Sequence, residues 1–288
     1  TGSDSYRDGA KVNRSGAAPA IRLGIGTRNE FLLSHYHLEY DDVPDYGVPY
    51  FHGRPLDVPV NVFYGLPQVN SQRDRADIST ASWTHRFDAD SELKSVFRLG
   101  GYKRDLWAVA PRLAGNPAAI TDASQVTRQR QARGGVEDTV TSQTDYNGKF
   151  NWGGMKHQLL LGMELVREDA DRWSYAQPAG VTNPATTVGN PDLYPLLASN
   201  YFTQVSRTGQ VSYRADTVAF YGQETLELTP QWKLVIGARH DRFKADYQRA
   251  APQGPLARTD RVWSTRTGLL YQPTDVASYY AAVGSSFN

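Results

Sequence analysis

The spacing of the connections between strands constrains the fold of this sequence more than any other feature. Short turn signals fall at 27–29, 88–91, 152–154, 229–231 and 273–275. Between them lie long polar excursions, at about 43–73, 108–123, 170–207 and 249–259. Because short and long connections alternate strictly, we expect an antiparallel up-and-down meander with one trimmed end and one elaborated end.

Hydrophobic residues recur with a period of two between these connections, which is typical of β-strands. In the segment 156–168, four apolar residues at odd positions share one face of an extended chain: Leu159, Leu161, Met163 and Leu165. The segments 92–102, 232–241 and 262–271 alternate in the same way, and no window has convincing helical periodicity. Two predicted strands, at 136–152 and 155–169, exceed the usual length of about five or six residues.

The composition excludes several classes of protein. With 31 basic and 30 acidic residues, the chain has no global charge that would favour a nucleic-acid partner. The absence of cysteine excludes a disulfide scaffold and a thiolate metal site. No run of eighteen apolar residues predicts a transmembrane helix, and no signal peptide is recognisable at the start of the sequence. The 17 Tyr and 6 Trp, with few aliphatic residues, suit a sheet that is wet on one face and interfacial on the other.

Five segments resemble, in the same order, parts of TonB-dependent siderophore receptors. They are DDVPDYGVPYF at 41–51, GRPLDVPVNVFYG at 53–65, GGMKHQLLLGMEL at 153–165, VAFYGQETLELTPQWKLVIGARHDRF at 218–243 and SYYAAVGSSFN at 278–288. The fourth is the most specific, because a Tyr-x-Gln-acid strand, a tight turn and a Trp-led return strand ending in Arg-x-Asp occur together. The resemblance extends over most of the chain.

The resemblance implies an all-β fold, an antiparallel up-and-down transmembrane β-barrel with short periplasmic turns and long extracellular loops. The barrel of this family has about 22 strands. Residues 1–288 are expected to form roughly ten of them, from the middle of the barrel. The signal peptide, the plug domain and the C-terminal strands are expected to lie outside this sequence. Because such a section has two open edges, we do not expect it to fold stably or to transport alone.

The resemblance also implies a function. The whole protein is expected to be a receptor in the cell outer membrane of a Gram-negative bacterium, importing a ferric siderophore with energy relayed by TonB through a segment missing here. Its expected partners are the ferric siderophore, TonB and outer-membrane lipid, with no nucleic acid and no cofactor, since iron arrives as a pre-formed chelate. It is not expected to be an enzyme. The alternatives are a TonB-dependent or porin-like transporter of cobalamin or a glycan, and a soluble extracellular β-sandwich that binds carbohydrate.

Aromatic and basic residues at the long-loop end are the candidate ligand contacts. Tyrosine and tryptophan rings can stack on flat chelating groups, and arginine donates charge-assisted hydrogen bonds to catecholate or carboxylate oxygens. The candidates are Tyr46, Tyr50, Phe51, Tyr64, Arg104 and Trp107. The alternative for each aromatic residue is packing of its loop against itself or its neighbours. Two prolines, Pro44 and Pro49, stiffen the first of these loops where no strand ladder needs a donor.

Two basic motifs also require interpretation. His35 and His37 have the spacing of a two-histidine metal pair, but only Glu39 could extend it, so we predict polar side chains that face the lumen. RQRQAR at 128–133 is predicted to line the lumen or its rim, with a nucleic-acid patch as the alternative. No catalytic motif and no metal site are predicted.

Several aromatic residues fall next to predicted turns. Trp152, Trp232, Tyr271 and Tyr279 are predicted to lie in the interfacial girdles of the barrel. The alternative for each is an ordinary cross-strand aromatic pair.

Overall fold

The computed structural model describes residues 2–115, 117–201, 206–249 and 252–286. Within these ranges no helix is long and apolar enough to cross a membrane. The strands are, in chain order, β1 Gly2–Asp4, β2 Lys11–Ala17, β3 Ala20–Leu23, β4 Asn29–Asp42, β5 Tyr50–Phe51, β6 Arg54–Pro55, β7 Ser71–Arg86, β8 Ser91–Leu113, β9 Gln125–Trp152, β10 Met155–Tyr175, β11 Thr186–Thr187, β12 Arg207–Glu227, β13 Trp232–Arg249, β14 Leu256–Thr274 and β15 Ala277–Gly284.

Thirteen of the strands in the described ranges form one antiparallel sheet. Its order is β1-β2-β4-β7-β8-β9-β10-β12-β13-β14-β15, with β3 paired to β4 and β11 to β9, while β5 and β6 form a separate hairpin. Each long strand therefore pairs with the next long strand in the chain, which confirms the predicted up-and-down meander. Since this is one continuous open sheet and not two sheets packed face to face, the β-sandwich alternative is wrong.

Proline divides the first long strand without shifting its register. β2 pairs Ala17 with His37, and β3 resumes in the same register by pairing Ala20 with Ser34. Between them, the His35 N–H donates to the carbonyl of Pro19 at 3.0 Å. Proline has no N–H to offer, and it is tolerated here because β3 lies at the edge of the sheet.

The two ends of the sheet differ as predicted, although the strands run further than expected. At one end the connections are short, at 24–28, 87–90, 153–154, 228–231 and 275–276, and at the other they cover 43–70, 114–124, 176–206 and 250–255. The predicted loop starts at 108 and 170 are wrong. Residues 108–113 pair with 126–131, and residues 170–174 pair with 133–137, so β8, β9 and β10 continue beyond their predicted ends.

The sheet has two chemically different faces. Directly opposed partners in neighbouring strands share a face. The apolar face carries large exposed side chains, among them Phe220 (55% exposed) and Ile236 (42% exposed). On the polar face, the Arg239 Nη2 atom lies 2.7 Å from a carboxylate oxygen of Glu164 and 2.8 Å from one of Asp241. An exposed hydrophobic face opposite a charged one is what lipid outside and water inside a barrel require.

Aromatic residues form a row on the apolar face at the short-turn end. Trp232 opposes Tyr271, which opposes Tyr279, and the ring centroids are 4.4 and 6.4 Å apart. Trp152 lies beside another short turn with its ring 73% exposed. Trp232, Tyr271 and Tyr279 therefore make cross-strand aromatic pairs, which is the alternative interpretation, and their place in an interfacial girdle stays a prediction.

Candidate ligand-binding site

A row of side chains crosses five strands on the polar face near the long-loop end. Tyr40 of β4 opposes Asp74 of β7, which opposes Arg104 of β8, then Gly135 of β9 and Arg172 of β10. Neighbouring strands lie about 4.8 Å apart, so Arg104 and Arg172 flank Gly135 at about 10 Å from each other along the row. This row forms the floor of a cleft of about 670 Å³.

Two further side chains on the polar face line this cleft, which we call the arginine cleft. Arg133 lies two residues from Gly135 on β9, and Tyr102 lies two residues from Arg104 on β8, so both share the polar face. The polar face of the arginine cleft thus brings together three guanidinium groups and two phenol rings, and Arg75 and Lys103 line the cleft from the other strand face. Arginine forks and aromatic faces are the groups that recognise planar anions.

Of the four arginines that line the cleft, Arg75 is paired with Asp77 and Arg104 with Asp74. Arg104 Nε lies 3.3 Å from Asp74 Oδ1, and Gln72 donates to the other oxygen of Asp74 at 2.6 Å. Among the described residues, Arg133 and Arg172 form neither an ion pair nor a hydrogen bond through their guanidinium groups. Glu137 also lines the cleft, on β9 two residues beyond Gly135. The local balance favours an anionic ligand, with Arg133 and Arg172 available to bind it.

Two consecutive glycines create the space at the centre of the cleft. A Cβ atom at Gly135 would lie 3.0 Å from the carbonyl oxygen of Asp171, and one at Gly134 would lie 2.7 Å from the indole of Trp173. Larger residues are therefore disfavoured at both positions. The missing side chain of Gly135 leaves the gap between Arg104 and Arg172.

Two long loops pack on the part of β8 and β9 that extends beyond the neighbouring strands. Buried Arg128 of β9 donates to the carbonyl oxygens of Tyr64 at 2.8 Å, Pro184 at 3.2 Å and Asp192 at 2.5 Å. One side chain therefore holds the loop at 43–70 and the loop at 176–206 on the same strand. Hydrogen bonds from a cation to buried carbonyls are among the stronger ones in proteins.

Aromatic packing surrounds a second arginine of the RQRQAR motif. The Arg130 guanidinium lies 4.8 Å from the ring centroid of Trp107 and 5.8 Å from that of Tyr201. Trp107 stacks on Tyr175 at 4.6 Å. Arg128 and Arg130 lie on the face covered by the loops at the long-loop end, whereas Arg133 lies on the polar face, so a lumen lining stays a prediction for Arg133 and does not fit the other two.

Burial changes the acidity of two tyrosines in these loops. Tyr64 and Tyr201 are almost inaccessible to solvent, and burial raises the pKa of each hydroxyl above its ordinary value. The Tyr64 hydroxyl donates to the carbonyl of Val188 at 2.8 Å, and the Tyr201 hydroxyl donates to Asn183 at 2.6 Å. Both tyrosines are therefore neutral packing residues of the loops.

The structure separates the six predicted ligand contacts. Only Arg104 lines the arginine cleft. In the first loop, Tyr50 is 67% exposed, Tyr46 is half-buried, and Phe51 packs on the ring of His52 at 4.0 Å. Tyr64 and Trp107 pack inside the loop assembly described above, which is the alternative foreseen for aromatic residues. Contacts of these six residues with a ligand stay predictions.

Sequence reasoning did not name Tyr40, Tyr102 or Arg172 of the cleft, and it named Arg133 only as part of the RQRQAR lining and not as a ligand contact. A usable signal existed in the spacing of these residues. Tyr102 and Arg104 are two positions apart and therefore share a strand face, whereas Arg133 is an odd number of positions from Arg128 and Arg130 and therefore lies on the other face. The pairing register that brings Arg172 beside Gly135 could not be obtained from the sequence, since the length of β9 and β10 was underestimated.

The two histidines lie on the opposite face from the one predicted. His35 and His37 share the face of Phe31 and Leu33, beyond the end of its apolar stretch, so the expected lumen orientation is wrong. The His35 Nδ1 atom lies 2.9 Å from the Ser79 hydroxyl. His37 Nδ1 lies 2.7 Å from an Asp77 oxygen. In the described part of the chain, no three His, Asp or Glu side chains come together as a metal-binding group.

The chain is similar to known proteins over most of its length. The family model described as "TonB dependent receptor-like, beta-barrel" matches residues 22–288. The chain is 29% identical, over 96% of its length, to the probable TonB-dependent receptor BfrD of Bordetella pertussis. It is 27% identical, over 95% of its length, to the catecholate siderophore receptor Fiu of Escherichia coli K12. The chain covers 40% of the first of these relatives and 36% of the second.

Solved structures share the fold. The crystal structure of the siderophore receptor PiuA from Acinetobacter baumannii matches 96% of this chain with a TM-score of 0.83 and 22% identity, covering 42% of that protein. The open form of Fiu from Escherichia coli matches 98% of this chain with a TM-score of 0.82 and 21% identity, covering 48% of that protein. At these identities the likeness concerns the fold, an antiparallel barrel sheet.

Proposed function

This chain belongs to the TonB-dependent receptor β-barrel family, and on that premise we propose that the complete protein is an outer-membrane receptor for a ferric siderophore. It binds the chelate at its extracellular mouth and imports it with energy relayed through TonB. The long-loop end of the sheet is the extracellular end, and the polar face lines the lumen. The match to siderophore receptors among the relatives supports this assignment.

The arginine cleft is the observation that carries the proposal. It lies on the lumen face at the extracellular end, where an arriving ligand first meets the barrel wall. Arg133 and Arg172 lack carboxylate partners in the described residues, so a bound anion would provide the hydrogen bonds that the protein leaves open. The rings of Tyr40 and Tyr102 border the same space and can stack on flat chelating groups.

The charge of the cleft distinguishes between the candidate cargoes. A ferric catecholate carries negative charge on planar oxygen donors, which match the fork of a guanidinium group. A neutral glycan would gain little from two unpaired arginines, and would leave them desolvated without a counter-charge. We therefore assign the cleft to an anionic iron chelate.

The exposed residues of the first loop extend the proposed site outward. Half-buried Tyr46 lies between Pro44 and Pro49, and exposed Tyr50 directly follows Pro49, so the stiff chain can present both rings at small entropic cost. Phe51 belongs to the same hairpin. In this proposal they make first contact with the chelate, and Arg104 works with Arg133 and Arg172 deeper in the mouth. Tyr64 and Trp107 would reach a ligand only after the loops open.

The cargo is tested by binding measurements on the full-length receptor. Ferric catecholates, ferric hydroxamates, mixed chelates and cobalamin are titrated separately, with the iron-free ligands as controls. We expect ferric catecholates to bind at least about a hundredfold more tightly than cobalamin, which corresponds to about 2.7 kcal/mol. Equal affinity for iron chelates and cobalamin would contradict the proposal.

A further inference from the structure

The apolar face of β13 and β14 has an aromatic pair at each end of its apolar band. Trp232 and Tyr271 stack at the short-turn end, with ring centroids 4.4 Å apart, and His240 and Trp263 approach to 4.8 Å further along the same two strands. His240 lies eight positions beyond Trp232 on β13. At about 3.3 Å per residue and a tilt of about 40°, they span about 20 Å across the membrane, close to the roughly 25 Å of a barrel's apolar band.

Two arginines oppose each other directly beyond the second aromatic pair. Arg242 of β13 and Arg261 of β14 are cross-strand partners on the apolar face, and both are exposed. Like charges in directly opposed positions destabilise a sheet. In the described ranges of the chain, neither guanidinium group has an ion pair or a hydrogen bond.

Several other basic residues of this outward face are neutralised by acidic neighbours. Arg75 lies 2.6 Å from Asp77. Arg167 lies 3.0 Å from Asp169. Lys244, two residues beyond Arg242, lies 3.2 Å from Asp246 and opposes Asp216. Arg242 and Arg261 therefore form a local excess of positive charge at the edge of the apolar band.

We propose that Arg242 and Arg261 bind the phosphorylated head group of a lipid in the outer leaflet. The pair lies at the level of the head groups, and its charge is complementary to phosphate, which arginine binds with paired N–H donors. Directly below, Trp263 is 66% exposed and Phe220 is 55% exposed on the same face, so the acyl chains of that lipid have apolar partners. The inference depends on the membrane orientation proposed above, but not on the nature of the cargo.

The test is a lipid titration of the full-length receptor in detergent micelles, read by native mass spectrometry. The probes are lipid A carrying both phosphates and the same lipid after dephosphorylation. The R242Q/R261Q variant should bind the phosphorylated lipid about 30-fold more weakly than the wild type, since each arginine near an anionic lipid surface contributes about a fivefold factor. Binding of the dephosphorylated lipid should not change.

A matched variant and a conservative variant make the result specific. R75Q/R167Q removes two arginines from the same outward face, and should change affinity less than about threefold because both already have carboxylate partners. R242K/R261K keeps the charge and should retain most of the affinity. Equal losses in both glutamine variants, or a lysine variant that assembles but binds as weakly as R242Q/R261Q, would overturn the proposal.

Two further outcomes concern the occupant of the arginine pair and the proposed cargo. Complete displacement of lipid A by inorganic phosphate would assign the arginine pair to a free anion and overturn the lipid assignment. Ferric-chelate binding is measured on the same samples and should be unchanged in R242Q/R261Q. A loss of lipid binding with intact chelate binding supports the lipid site, whereas a receptor that binds lipid normally but no chelate would refute only the proposed cargo.

Discussion

Among single residues, the arginines of the 128–133 motif have three different roles. Arg128 binds loop carbonyls, Arg130 packs between aromatic rings, and Arg133 points into the arginine cleft. A spacing of two keeps side chains on one strand face, and a spacing of three changes the face. The sequence therefore contained the division of the motif into two sides. It did not contain the loops that cover one side, because their contacts are distant in sequence.

Replacing the unpaired arginines of the cleft should weaken ligand binding. We expect Arg133→Gln and Arg172→Gln each to weaken the affinity of the full-length receptor for a ferric catecholate about tenfold or more, since a charge-assisted hydrogen bond contributes about 1.5–3 kcal/mol. Isothermal titration of each variant measures this effect. Arg98→Gln, on the same face but outside the cleft, is the matched control. Unchanged affinity in both cleft variants would contradict their assignment.

The buried tyrosines predict an alkaline transition of the loops. Because burial raises the pKa of Tyr64 and Tyr201, their neutral forms stabilise the packed loops at any pH below the ordinary value of about 10. This contribution is lost as the pH rises through the raised pKa values. We expect proteolytic cleavage within 176–201 to accelerate in that range.

Phenylalanine variants separate these tyrosines from other titrating groups. Tyr64→Phe with Tyr201→Phe removes both ionisations and should abolish the alkaline acceleration. Tyr50→Phe alters an exposed ring and should leave it unchanged. An identical pH profile in all three proteins would show that the loop packing does not depend on these hydroxyls.

At the level of elements, one side chain joins two loops to one strand. Arg128→Leu leaves one buried and two part-buried carbonyls without their donor, so we expect the loops to lose about 2–3 kcal/mol of protection against local opening. Hydrogen exchange of 176–201 in the full-length protein measures the change. Arg28, whose guanidinium binds the carbonyls of Arg86 and Phe87 at an exposed short turn, is the control, and Arg28→Leu should leave the exchange unaffected.

A glycine in β10 makes room for an aromatic ring on the polar face. A Cβ atom at Gly162 would lie 2.2 Å from the ring of Tyr221, whose hydroxyl donates to Asp145. Gly162→Ala should displace this ring and destabilise the barrel by about 1–3 kcal/mol. Guanidinium unfolding of the full-length protein in detergent measures the difference. Gly101→Ala meets only Asp138, at 3.4 Å, and should have a much smaller effect, so equal destabilisation would contradict this account of Gly162.

The elements were predicted well at the short-turn end and less well at the other. Turn residues act locally, so the signals at 88–91, 152–154 and 229–231 located the hairpins. At the long-loop end, β8 and β9 continue as a paired extension because the loops at 43–70 and 176–206 cover one of its faces. The loops that cover this extension are distant in sequence, so the hydrophobic alternation within β8 or β9 could not predict where these strands end.

For the whole molecule, alternation and connection lengths sufficed for the fold class, because an up-and-down sheet is built from local hairpins. The candidate site could not be predicted from alternation and connection lengths. Arg104 was named, but its neighbours Gly135 and Arg172 reach it only through the register of three strands. The open sheet and the arginine cleft together connect the fold to the proposed function, since a polar face with unpaired arginines at the end proposed to be extracellular suits the entry of an anionic chelate.

The most direct test is a structure of the full-length receptor with a ferric catecholate bound. The account predicts the chelate on the lumen face, with its oxygens within about 3.2 Å of guanidinium nitrogens of Arg133 and Arg172. The rings of Tyr40 and Tyr102 should border it. A chelate bound elsewhere in the mouth at full occupancy, with the arginine cleft empty, would contradict the central claim.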